Sequence, residues 1–194
     1  MSQSLKKHIE KLTQRNEPDF EGILSFFRTL NVRKKENLQP QGQPGRYNYF
    51  VVKGCLRLFF INDKGTEKTV QFAIENWWLA DYLAFHNQKA STFYIQAVEP
   101  SGVLAIDYAS QEKMLKQFPQ MERYFRLVHQ KAHGALQMRT KLDYELSKEE
   151  FFLSFTTCYP EFVRRIPQYL LASYLDITPE YLSELRARAV LKPA

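Results

Sequence analysis

The sequence predicts an α+β protein: N-terminal helices and a jelly-roll of short strands, then one long helix and a small C-terminal helical unit. Three observations predict it. The apolar period is about 3.6 as far as residue 30 and about 2 between residues 47 and 106. From Phe118 a heptad-like seam begins. Residues 168–188 then read as two short helices joined by a tight turn.

Residues 2–30 read as helical. Leu5, Ile9 and Leu12 share a face, a break falls at residues 16–18, and Ile23, Leu24, Phe27 and Leu30 continue the pattern. The basic run Arg33-Lys34-Lys35 reads as a solvated helix end. A loop rich in Gln, Pro and Gly covers residues 39–45. Strands are predicted at 47–52, 56–61, 68–74, 92–98 and 103–106, and Asn62-Asp63-Lys64-Gly65 is a hairpin turn. Residues 79–85 read as irregular or helical. Fifteen Phe and eleven Tyr favour a packed, β-rich portion over disorder. Short strands with turn signals at this spacing predict a small barrel or jelly roll.

The seam of the long helix runs through Phe118, Met121, Phe125, Val128, Ala132, Ala135, Arg139, Leu142 and Leu146, with Pro119 placed to start the helix. Steps of three and four sustained over such a stretch span on the order of 42 Å. Two small alanines near the centre favour helix-on-helix packing between two copies, and Arg139 is placed to set register or to pair across the interface. After Ser147-Lys148-Glu149-Glu150 comes an aromatic helix with Phe151, Phe152 and Phe155, ended by Tyr159-Pro160.

The C-terminal pair carries the most specific signal. Leu171, Ala172 and Leu175 face inward from the first helix, and Asp176-Ile177 makes the turn with Ile177 as its apolar plug. Thr178 caps the second helix, Pro179 takes its first position, Glu180 sits in its first turn, and Leu182 and Leu185 continue the buried face. This is a helix-turn-helix, the arrangement that lays a helix in the DNA major groove.

Composition narrows the alternatives. No apolar run approaches the roughly 18 residues of a membrane span and no signal-peptide core opens the chain, so a cytoplasmic protein is expected. Cys55 and Cys158 read as buried thiols, too few for an iron–sulfur cluster. His129 and His133 lie one turn apart without further ligands, which favours a surface or dimer-facing role over a metal site. No nucleophile–base spacing suggests an enzyme. The net charge of +6 permits a polyanionic partner. Yet residues 161–194 hold five basic side chains (Arg164, Arg165, Arg186, Arg188, Lys192) against four acidic ones.

The order of parts resembles the Crp/Fnr family of bacterial transcription regulators over nearly the whole chain. Tyr49-Phe50-Val51-Val52-Lys53-Gly54-Cys55-Leu56-Arg57-Leu58 is similar to that family's strand–Gly–strand signature, and Gln96-Ala97-Val98-Glu99 to its closing strand. Phe118-Pro119 stands where the dimer helix begins, and Arg164-Arg165-Ile166-Pro167-Gln168-Tyr169 precedes the helix-turn-helix. The wording around Trp77-Trp78 and Ile177-Thr178-Pro179-Glu180 is most similar to members from Bacteroidetes-type bacteria. The resemblance implies a cyclic nucleotide-binding-like roll (residues 1–118), a dimerisation helix (119–147) and a DNA-binding domain (148–194). It also implies a homodimer, a palindromic operator in double-stranded DNA, and RNA polymerase as a further partner.

Carried over residue by residue, the resemblance places a ligand segment at Trp78, Asp81, Lys89, Ser91 and Thr92. Asp81 stands for the ribose-binding acid and Ala80 for a glycine. The phosphate-clamping arginine is missing, and Lys89 lacks its bidentate fork. Cyclic AMP is therefore not the expected ligand; an unknown small molecule and a packed roll with no ligand stay open. For DNA, the groove candidates are Thr178, Glu180, Tyr181, Ser183 and Arg186, with Gln168 and Arg188 for phosphates. Glu184 stands where the family presents a base-reading arginine. The stretch before Gln168 is too short for the hairpin wing of many members. A regulator is expected; the alternative is a ligand-sensing or protein-interaction protein of the same fold with degenerate DNA reading.

Overall fold

The computed structural model describes residues 2–191, without the side chains of 189–191. Lys192, counted in the charge balance above, lies outside the described residues. The chain opens with α1 (Ser2–Thr13) and a short α2 (Phe20–Leu24), whose first turn is capped by the Asp19 carboxylate accepting from the Gly22 N–H. Eight antiparallel strands follow: β1 (Arg28–Val32), β2 (Asn37–Gln39), β3 (Tyr47–Lys53), β4 (Leu56–Ile61), β5 (Glu67–Ala73), β6 (Trp78–Leu79), β7 (Tyr94–Ala97) and β8 (Ser101–Asp107). Helix α3 (Tyr82–Asn87) lies between β6 and β7. The strands form two four-stranded sheets, in the orders β1-β8-β3-β6 and β2-β7-β4-β5, the arrangement of a jelly roll. Helices α4 (Tyr108–Gln117), α5 (Gln120–Glu145), α6 (Lys148–Cys158), α7 (Pro160–Arg165), α8 (Gln168–Leu175) and α9 (Pro179–Leu191) complete the chain.

The α+β class and the five strands read from the sequence are present, but three further strands, β1, β2 and β6, depart from it. Arg28–Val32 is an edge strand paired to β8, with Leu30 opposite Val103, and does not extend the N-terminal helix. In that strand only Val32 is buried, so no alternation marks it in the sequence. Arg33-Lys34-Lys35 consequently forms the turn between β1 and β2, with Lys35 in the left-handed region, not a helix end. Strands β2 and β6 are too short to show a period.

Between β3 and β4 the chain turns at Gly54, whose φ is +101°. A Cβ there would lie 2.2 Å from the Ser101 hydroxyl oxygen, so both conformation and space require glycine. Alternation along β3 then divides two cores. Tyr49 and Val51 point into the roll with Leu56, Leu58, Ile95 and Val103. Phe50 points out beneath the helices, with Leu5, Ile9, Trp78, Ile106, Met114, Met121, Tyr124 and Phe125. In this outer core the Tyr124 hydroxyl accepts from Trp78 Nε1 and meets His8 Nδ1, each at 2.8 Å. Burial, reinforced by Lys131 and Lys11, lowers the His8 pKa from 6.5 to about 4. His8 is therefore neutral at pH 7 and shares this hydrogen bond with the Tyr124 hydroxyl.

A third core lies among α6, α8 and α9 and reaches the roll through Cys55, Phe72 and Val98. Cys55 is fully buried and burial pushes its thiol up to about 12. Cys158 is exposed at the end of α6, against the expectation of two buried thiols, because the aromatic face of α6 passes inward on its other side.

Candidate functional site

The C-terminal pair is built as its sequence requires. In α8, Leu170, Leu171, Ala172 and Leu175 are buried. Asp176 takes the left-handed conformation that ends the helix, and the Ile177 N–H returns to the Ala172 carbonyl. Ile177 packs on the cluster that holds Leu182 and Leu185. The Thr178 hydroxyl accepts from the Tyr181 N–H at 3.2 Å and so caps α9.

The residues expected at DNA divide by position. Gln168, Thr178, Glu180, Ser183 and Arg188 are exposed, Arg186 is half-buried, and Tyr181 leans onto the core. Glu184 is also exposed. Arg188 lies 3.5 Å from the Glu184 carboxylate and 3.6 Å from that of Glu149, so two acids already draw on the cation expected at phosphate.

The sequence reading missed how this pair is mounted. β5 is the outer strand of its sheet, and α8 lies along it. The Ser173 hydroxyl accepts from the Thr69 N–H at 2.9 Å and donates to the Glu67 carbonyl at 2.8 Å. Lys68 pairs with Asp176 at 2.5 Å, and this bond holds the Asp176 pKa below its ordinary value. Near the end of the strand, the Phe72 ring packs against Phe162 and Tyr174, each at 5.3 Å between centroids. Just beyond the strand, Arg165 grips both oxygens of Glu75, at 2.7 and 2.8 Å, and one of Glu99 at 2.7 Å. Partial burial raises the Glu75 pKa, but the Arg165 bonds and the Gly54 N–H outweigh it and leave the carboxyl below its usual range. These partners are 66 to 108 positions apart in sequence, and no local pattern announces them.

The seam of α5 is divided among three surroundings. Phe118, Met121 and Phe125 are buried against this chain's own roll, and Val128 packs beside them. They are not available to a second copy, contrary to the expectation. Ala132 and Ala135 are exposed, together with Leu136 and Met138. Leu142 packs on the C-terminal core. Within this chain Arg139 lies between two rings: its guanidinium carbon is 4.4 Å from the centroids of both Phe151 and Tyr174. It also bonds Asp143 at 2.9 Å and the Tyr174 carbonyl at 3.1 Å. Heptad spacing marks a face of a helix, and one long face can serve different neighbours along its length.

The expected ligand segment is only partly assembled. Asp81 and Ser91 do meet, but the meeting satisfies both. Asp81 caps α3 by accepting from the Ala84 N–H at 3.1 Å, and its other oxygen accepts from the Ser91 hydroxyl at 2.9 Å. Ser91 is buried and also accepts from the Phe93 N–H. Backbone bonds from Gly42 to Ser91, Ser91 to Gln43 and Gly45 to Lys89 zip the 40–45 loop onto this segment. Trp78 departs altogether: it is 5% exposed in the core beneath α5, because its β6 position faces away from the roll interior. Lys89 and Thr92 point to the surface. His129 rests against the Tyr82 ring. Among the described residues, no helix is long and apolar enough to cross a membrane.

Comparison with known proteins agrees with this geometry. Residues 29–118 match the family model of the cyclic nucleotide-binding domain. No curated protein matches the sequence. Among solved structures, the catabolite activator protein of Thermus thermophilus is 20% identical with a TM-score of 0.56, the match covering 92% of this chain and 86% of that one. The c-di-GMP responsive global regulator CLP of Xanthomonas campestris is 12% identical, with a TM-score of 0.71 and coverage of 88% and 90%. A mutant of CooA from Carboxydothermus hydrogenoformans is 16% identical, with a TM-score of 0.69 and coverage of 92% and 82%. The chain therefore has the fold of these proteins: a cyclic nucleotide-binding-type jelly roll, a long helix, and further helices at the C-terminus.

Proposed function

We propose that the protein is a cytoplasmic, homodimeric DNA-binding transcription regulator of the Crp/Fnr type, with a roll that does not respond to cyclic AMP. The α8–α9 pair carries this reading. Its cap, left-handed turn and apolar plug are those of a helix-turn-helix, and the outer face of α9 with the start of α8 is open to solvent. Residues 148–194 form the DNA-binding domain, 119–147 the dimerisation helix and 1–118 the roll. Gln168 and Arg188 approach phosphates, while Thr178, Glu180, Tyr181, Ser183 and Arg186 approach base edges.

The exposed stretch of α5 around Ala132, Ala135 and Leu136 receives the second copy, since small residues let two helices approach closely and a bare apolar stripe is costly in water. Two reading helices then reach successive major grooves about 34 Å apart on a palindromic operator, where RNA polymerase is the further partner. The self-satisfied Asp81–Ser91 pair supports a roll without cyclic AMP, because a ribose would have to displace a partly buried hydrogen bond. One observation favours the second reading, a regulator-like protein with degenerate DNA reading: Glu184 occupies the expected arginine position and draws on Arg188.

Selection of genomic fragments with purified protein at two salt concentrations tests the proposal. A regulator enriches a palindromic site, and its affinity falls steeply as salt rises. An intact dimer that enriches nothing would overturn DNA regulation and leave the second reading.

A further inference from the structure

We infer that the β5 seam is a latch that fixes the α8–α9 unit in its reading orientation without an effector, with Arg165 as its positioning residue. The inference rests on the DNA-binding reading above for its functional arm only. An outer strand presents unpaired backbone groups that invite another chain. Here a single hydroxyl, that of Ser173, takes both the Thr69 N–H and the Glu67 carbonyl. The seam touches the strand at its start through Ser173, near its end through Phe72, and beyond its end through Arg165. From Glu67 to Glu75 an extended chain covers about 25 Å, so anchors at both ends resist rotation as well as separation.

The far anchor is rooted in a part of the roll that cannot shift easily. The Glu75 carboxylate that holds Arg165 also accepts from the Gly54 N–H at 2.7 Å, at the turn where only glycine fits. The guanidinium fork on Glu75, with a third bond to Glu99, fixes direction as well as distance. Nor is the seam a lid. It occupies Ser173, Tyr174 and Asp176, whereas Thr178, Glu180 and Ser183 remain exposed. A reading unit held in this way does not spend binding energy on being oriented at each encounter with DNA.

The test uses the full-length chain and two readouts. Amide exchange at Thr69 reports the seam directly, and the Val51 and Ala105 amides, deep in the roll, report whether the fold survives. In Arg165→Ala, Thr69 exchange speeds up by about tenfold or more, while Val51 and Ala105 keep their rates. Affinity for the selected operator falls about tenfold at fixed salt, and Arg165→Lys recovers part of it. Ser173→Ala, a milder change at the other anchor, weakens DNA binding in the same direction. Wild-type affinity is the same with and without cyclic AMP. Unchanged Thr69 exchange in Arg165→Ala, or equal or tighter DNA binding by that variant, would overturn the latch; a cyclic AMP requirement would overturn its independence of effector. A wild type that protects Thr69 but selects no DNA would remove the regulatory reading and leave the latch standing.

Discussion

Acidification from pH 7 to 4.5 should destabilise this protein through His8, before its carboxylates contribute. In the folded chain His8 is half-buried beside α5 and hydrogen-bonds the Tyr124 hydroxyl, which itself accepts from Trp78. Burial and two nearby lysines hold its pKa at about 4 against 6.5 in an exposed chain. The unfolded chain therefore takes up a proton as pH falls below 6.5, while the folded chain does not until near 4. Stability is full above pH 7 and declines through that window. At 1.36 kcal/mol per unit the whole shift would correspond to about 3 kcal/mol. His8 is only half-buried, however, and solvent screening reduces the expected loss to about 1–2 kcal/mol. Glu75 and Asp107, whose pKa values lie below their ordinary carboxylate range, lose their contributions only at lower pH. Urea unfolding measured between pH 7.5 and 4.5 gives the slope, and His8→Gln isolates the His8 share from that of His129, which burial also lowers. Equal slopes for wild type and His8→Gln between pH 6.5 and 4.5 would refute the reasoning.

Three further outcomes follow from the geometry. Arg139→Ala removes the cation from between Phe151 and Tyr174 and the bond to the Tyr174 carbonyl; thermal unfolding should report a loss of about 1–3 kcal/mol, with Arg139→Lys recovering only part. Leu136→Glu places a charge on the exposed apolar stretch of α5; if that stretch forms the proposed dimer, the variant should run as a monomer in analytical ultracentrifugation without a lower melting temperature of the protomer, whose own cores do not use Leu136. Glu184→Arg frees Arg188 from one of its two acidic neighbours and adds a cation to the open face of α9. Tighter DNA binding with a steeper salt dependence is expected in fluorescence anisotropy, and unchanged affinity would place Glu184 away from the DNA.

How much of this was legible depended on whether the signal was local. The hairpin at residues 62–65 and the Thr178 cap each need only a few neighbouring residues to specify them, and the structure has both. The edge strand at Arg28–Val32 was illegible because it buries one side chain and so carries no period. The candidate ligand residues were carried over from a family pattern, which fixes positions along the chain but not which way a side chain faces; Trp78 turned out to serve the outer core and Asp81 to cap a helix.

The sequence by itself determined the class of each segment, the order of the parts and the internal architecture of the α8–α9 pair, because periodicity, capping and turn chemistry act within about ten residues. Only the tertiary structure decided which neighbours each face meets. It divided the seam of α5 between the roll, solvent and the C-terminal core, set Arg139 between two rings, and mounted α8 along β5 through Ser173 and Arg165. Those choices depend on pairing groups that lie far apart in the chain, and their hydrogen bonds form only once two independently specified surfaces have been brought together.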